Sequence, residues 1–249
     1  MNKSAAELEF EGSEKHSIAR RIQIALHKYP TLSPALVLLI SIVVFWILNP
    51  NFKDPFNLSL VLQQVAVVGS IAIGQTIIIL TAGIDLSCGA IAVFASMIMA
   101  KFAFENHVPV ALSFLMGLAV GTAAGAFNGF LVTKVKLPPF IVTLGTFNVF
   151  TALTLMFAKG RTVRDTEVDP FLLTLGKVIH LGKFNVTYGV LVMIAMYIVL
   201  AYALRYTSWG RHVYATGDDI EAARLAGIQT NRVLMSVYLV AGFIFAVTA

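Results

Sequence analysis

Seven apolar runs govern what this chain can fold into. They cover about residues 32–49, 58–82, 86–104, 109–133, 139–158, 186–204 and 233–249. A helix needs roughly 20 apolar residues to cross about 30 Å of hydrocarbon. Lipid offers no partner for a free backbone N–H or C=O, so helices are the natural state of such runs. Composition agrees: 58% of residues are hydrophobic and 12% charged, against roughly a quarter charged in soluble domains. The expected fold is all-α, a polytopic transmembrane bundle with six or seven spans in this chain. The last run has only 17 residues and nothing polar after it, so further C-terminal helices are expected beyond Ala249.

Two regions are expected, a cytoplasmic N-terminal segment over 1–30 and a transmembrane domain over 31–249. Residues Met1 to Glu14 are acidic and predict no packed structure. Ile18 to Tyr29 predict a short basic interfacial helix carrying Arg20, Arg21 and Lys28, suited to an anionic membrane surface. No cleavage pattern of a secretory signal follows. With the N-terminus inside, eleven of the eighteen Lys and Arg residues fall in inner segments, among them Lys134, Lys136, Arg205 and Arg211. That bias sets the orientation, so the net charge of +5 is no argument for nucleic acid. The outer loop 159–185 mixes Asp165, Glu167 and Asp169 with its basic residues.

The longest polar interruption, 205–233, then lies in the cytoplasm. It contains GDDIEAARLAGI, Gly217 to Ile228. Asp218 or Asp219 can cap a helix start, Glu221, Ala222, Ala223 and Arg224 are mostly helix formers, and Gly227 suits a left-handed stop. A short soluble helix beside a membrane domain has no core of its own, which points to docking on another protein.

Within the spans, Gly117, Gly121, Gly125 and Gly129 recur every four residues and make a smooth face for close helix packing. Gln63, Gln64 and Gln75 lie in span two and Asn128 in span four. Gln64, Gln75 and Asn128 are candidates for lining a route for a neutral polyhydroxy solute, and such amides also serve as interhelical hydrogen bonds. Asp85 is the acid inside a hydrophobic region, within TAGIDLSCGA. It is a functional candidate by its setting. Equally, Gly83 can break the preceding helix and Asp85 or Ser87 can cap the next. Cys88, the sole cysteine, excludes an intrachain disulfide and a multi-cysteine metal site. No phosphate-binding Gly-x-x-x-x-Gly-Lys-Ser/Thr loop, zinc-protease His pair or nucleophile elbow occurs. The sequence therefore predicts no catalytic residue, metal site or cofactor, and any ATP-derived energy must come from another chain.

Three ordered segments carry a resemblance: GQTIIILTAGIDLSCGA from Gly74, FNGFLVTKVKLPPFIVTLGTF from Phe127 and GRHVYATGDDIEAARLAGI from Gly210. From about Asn57 onward the chain resembles the inner-membrane permease subunits of bacterial monosaccharide ABC importers, the ribose/fructose type. The resemblance implies two permease copies, two ABC ATPase subunits beneath them and a periplasmic sugar-binding protein. It implies that Gly217, Glu221, Ala222, Ala223 and Gly227 form the ATPase-coupling loop, and that Gly83, Asp85, Leu86 and Ser87 form a family signature. Cys88 replaces the valine or isoleucine usual there. It also implies about three further helices. Two rival readings remain: a branched-chain amino acid permease of the same family, and a proton-coupled secondary transporter using Asp85 as carrier. A passive channel would need no docked helix.

Overall fold

The computed structural model describes residues 28–29, 31–105, 108–160, 170–182 and 184–249. The expected N-terminal helix, apart from Lys28 and Tyr29, lies outside the described residues, as do Asp165, Glu167 and Asp169. The elements in order are α1 (Leu32–Leu48), α2 (Pro55–Ile79), α3 (Cys88–Phe104), α4 (Val110–Thr133), α5 (Pro139–Ala158), β1 (Val178–Leu181), β2 (Phe184–Thr187), α6 (Tyr188–Tyr206), α7 (Ser208–Asp218), α8 (Ile220–Leu225) and α9 (Thr230–Thr248). The seven apolar runs thus become α1 to α6 and α9. Among the described residues, α2, α4, α5, α6 and α9 are long and apolar enough to cross a membrane. The other two, α1 and α3, have 17 residues each.

The helix boundaries follow local chemistry. Pro139 opens α5, a position where its missing N–H costs no hydrogen bond. Thr207 caps α7 by accepting from the Gly210 N–H at 3.2 Å. Two elements were not legible in the sequence. The expected loop 159–185 contains an antiparallel hairpin, with Val178 opposite Thr187 and Leu181 opposite Phe184. Gly182, at φ +67°, follows β1 in the left-handed conformation that tight hairpin turns need. In addition, the polar stretch 205–233 holds two helices rather than one, because α7 precedes α8.

The chain forms two units, meeting between Leu58 and Ser59. In the first, α1 buries none of its residues. Phe45 stacks on Phe52 at 5.9 Å, and Lys53 lies 5.3 Å over the Trp46 ring.

The second unit is built around the packing of α4 on α9. Gly121, Gly125 and Gly129 of α4 face Ala246, Gly242, Tyr238 and Met235 of α9. A methyl group at Gly125 would collide with the Tyr238 carbonyl oxygen and come within 2.8 Å of the Gly242 Cα. The two backbones therefore touch, as small residues allow in membranes. Gly117 faces Met99 of α3 instead. Around this seam pack Ile73, Ile77 and Ile78 of α2, Ile91 and Phe94 of α3, Phe150 of α5 and Phe245 of α9, all buried. Phe94 stacks on Phe150 and meets Phe157 edge-on, each at 6.0 Å.

Candidate functional site

One end of the second unit gathers the α2–α3 linker, α7, α8 and the start of α9. The capping residue of α8 is Asp219: its Oδ1 accepts from the N–H groups of Glu221 at 2.9 Å and Ala222 at 3.0 Å. At the other end Gly227 is left-handed, φ +85°. The Ile228 N–H reaches back to the Ala223 carbonyl and the Gly227 N–H to that of Arg224, both at 3.0 Å. These paired bonds close the helix end in a Schellman motif. Ala223 is 4% exposed and anchors the helix, while Leu225 is 90% exposed. Glu221 pairs with Arg224 at 2.9 Å on the same outer surface. A helix this short is marginal alone, so its two caps are what hold it as a fixed projection.

Gly217 sits not in this short helix but near the end of α7. A methyl group there would overlap the Leu80 carbonyl oxygen, so α7 lies directly on the linker that follows α2. Trp209 of α7 donates from Nε1 to the Ser236 hydroxyl of α9 at 2.8 Å, and Val213 is fully buried. The α7 helix is thereby clamped between α2 and α9.

The linker Leu80–Ser87 departs from expectation at its glycine. The left-handed residue is Ala82, φ +58°, not Gly83. Gly83 N–H bonds the Ile78 carbonyl at 3.0 Å and Ala82 N–H that of Ile79 at 2.9 Å, again a Schellman closure. Gly83 is needed for room instead: a methyl there would press on Ile78 and lie 3.4 Å from the Tyr238 hydroxyl. Beyond it the chain alternates. Gly83, Asp85 and Ser87 are buried while Ile84 and Leu86 are exposed. The polar side chains point into the protein and the apolar ones outward.

Asp85 Oδ1 accepts from the Ser87 N–H and from the Ser87 hydroxyl, both at 2.6 Å. Burial raises its carboxyl above the usual carboxylate range, opposed by the hydrogen bonds of Ser87 and the Cys88 N–H. Ser87 Oγ in turn accepts from Asn128 Nδ2 at 2.8 Å, which ties the linker to α4. Thr143 of α5 donates to the Ile84 carbonyl at 3.1 Å. Asn128 Oδ1 and the Tyr238 hydroxyl are also buried here, with no protein group in hydrogen-bond reach.

The opposite end holds a cavity of about 720 Å³, within the size range of small-molecule sites. It lies among α2, α3, α5, α6, α9 and the turn at Leu172–Gly176, with polar groups from Gln63, Ser70, Ser96, Thr154, Thr187 and Thr248. Of the three amides singled out from the sequence, none lines it. Gln64 is exposed, Gln75 is half-buried with an unpaired Oε1, and Asn128 is fully buried in the linker network. Gln63 is the amide that the cavity presents. Among the described residues, no three His, Cys, Asp or Glu side chains are placed to hold a metal ion.

Comparison with known proteins decides the family. Residues 57–249 match the family of the branched-chain amino acid transport system permease component. The chain belongs to this permease family. A fructose import permease of Rhizobium meliloti is 43% identical over 241 residues, 95% of this chain and 67% of that protein. A ribose import permease of Bacillus subtilis is 37% identical over 86% of this chain and 66% of that protein. An autoinducer 2 import system permease of Enterobacter is 30% identical over 89% and 63%. The chain thus spans about two thirds of the length of these relatives. No solved structure matches it. The permease match begins at Asn57, beside the boundary between the two units, and it takes in the linker, the seam, the cavity and both helices of the 205–233 stretch.

Proposed function

We propose that this chain is a translocation subunit of an ATP-driven monosaccharide importer of the bacterial inner membrane, with its N-terminus in the cytoplasm. The observation that carries the coupling role is α8, fixed at both ends by Asp219 and Gly227 and presenting Leu225 outward. A soluble ATPase partner would grip that helix. A second permease copy would complete the route, and a periplasmic binding protein would deliver the sugar. Hydrolysis belongs to the partner, and the chain itself is no enzyme. The relatives named for fructose and ribose import support a sugar over the branched-chain amino acid that the family description suggests. The Lys and Arg bias supports the orientation, which puts the cavity on the periplasmic side and α8 on the cytoplasmic side.

In this reading the ATPase moves α8, and α7 carries the motion because it is clamped on Leu80 and Ser236. The solute enters at the cavity, where Gln63 and the hydroxyls of Ser70 and Ser96 offer neutral hydrogen-bonding groups. The test is co-purification of the permease, expressed from its native locus, with its ATPase, with and without Glu221→Arg plus Gly227→Trp. The double variant is expected to lose the ATPase and ATP-driven sugar uptake. Retention of both sinks the docking role.

A further inference from the structure

The end of α6 carries its exposed side chains in a fixed order. Ile198, Tyr202 and Tyr206 stand four residues apart on one side of the helix and are 65%, 63% and 61% exposed. The two phenol rings lie 5.2 Å apart. Arg205 closes the series, with its Cζ 5.4 Å from the Tyr206 ring centroid. At 1.5 Å of rise per residue the series spans about 12 Å. The chain then turns sharply at Thr207, which is extended. A methyl group at Gly210 of α7 would collide with the Leu204 carbonyl oxygen. Arg205 and Arg211 each follow a residue of that contact, so α7 brings a second guanidinium to the same corner. Both arginines are exposed, and Arg211 Nη2 donates to the Ser208 hydroxyl at 3.0 Å. Among the described residues, neither has a carboxylate at ion-pair distance. Asp218, the next acid along α7, lies about two turns away.

Apolar surface, then phenols, then cations is the order in which a lipid leaflet passes from acyl chain to interface to phosphate. A soluble partner would meet only the last of these, because Ile198 and Tyr202 lie within the span. We propose that the α6–α7 corner binds one anionic phospholipid, its phosphate between Arg205 and Arg211 and its acyl chain along Ile198 and Tyr202. Guanidinium groups suit phosphate, whose oxygens accept charge-assisted bonds from both. The site needs only that α6 spans the membrane, and is independent of the solute and of the energy source. In the importer reading the lipid braces α7, the helix that carries motion from α8.

The test is native mass spectrometry of the permease, expressed from its native locus and released from phosphatidylcholine vesicles of rising phosphatidylglycerol content. The first phosphatidylglycerol retained per copy is followed to half-occupancy. Arg205→Gln and Arg211→Gln are each expected to raise the content needed about fivefold, and the two together about thirtyfold, the scale of one membrane-surface arginine and of two. Arg232→Gln, at an exposed arginine in the first turn of α9, is expected to change nothing. No shift in either single variant would place the lipid elsewhere and sink the site. A shift as large in Arg232→Gln would mean a diffuse positive surface instead. Displacement by inorganic phosphate at equal ionic strength would mean a free-anion site, and a wild type that retains no lipid would mean that protein covers the corner; either overturns the proposal. ATP-driven sugar import in the same vesicles tests the importer reading separately, and its failure leaves the lipid result standing.

Discussion

Ala82 ends α2 in a left-handed conformation that a side chain on Cβ resists. Left-handed geometry costs an L-residue roughly 1–2 kcal/mol, and glycine avoids it. Ala82→Gly is therefore expected to stabilise the protein by about 1 kcal/mol, read as a raised Tm in detergent. Asp219→Ala removes the acceptor for two N–H groups of α8 and should cost about 1 kcal/mol of local stability. Hydrogen exchange at residues 221–225 is expected to speed up while exchange in α9 stays unchanged. The sequence made Asp219 and Gly227 readable because a carboxylate before a helix and a glycine after it have direct local reasons. It pointed to Gly83 rather than Ala82 for an equally local reason. Glycine is the usual left-handed residue, and only the approach of Ile78 and Tyr238, far apart in sequence, gives Gly83 a different task.

At the scale of elements, each apolar run became one helix with ends shifted by at most three residues, because crossing lipid leaves one solution. What the runs could not show was which face of each helix meets protein. On α2, residues 63, 66, 67 and 70 line the cavity, a single helical stripe. Gln64 lies about a hundred degrees away on the same helix and is exposed. Both faces are apolar apart from a few amides, so no periodicity separates lipid side from protein side. The hairpin escaped notice for a related reason: its strands have four residues each, too few for alternation to stand out. The α7 helix was hidden because its glycines, Gly210 and Gly217, weaken a helical reading. Both lie against carbonyl oxygens, of Leu204 and Leu80, and so are explained by packing. Gly217→Val is expected to force α7 off the linker and destabilise the protein by about 1–3 kcal/mol, with loss of uptake measured in vesicles.

For the whole molecule, the decisive question is the energy source. Asp85 has the raised proton affinity that a proton carrier would show, yet its Oδ1 is committed to Ser87 inside a buried network. Collapsing the proton gradient while ATP is held constant is expected to leave uptake in whole cells unchanged; abolished uptake would favour the proton-coupled reading. The seam between α4 and α9 has a further consequence, for which substitutions the protein can accept. Gly145 of α5 has open space around it, so Gly145→Ala should stabilise by about 0.5–1 kcal/mol through the unfolded chain. At Gly125 and Gly242 the same single carbon has nowhere to go. A library of every substitution would thus mark Gly121 and Gly125 of α4 and the Gly242 of α9 that faces them as positions where even alanine is rejected. The bundle's most restrictive positions are those with no side chain at all.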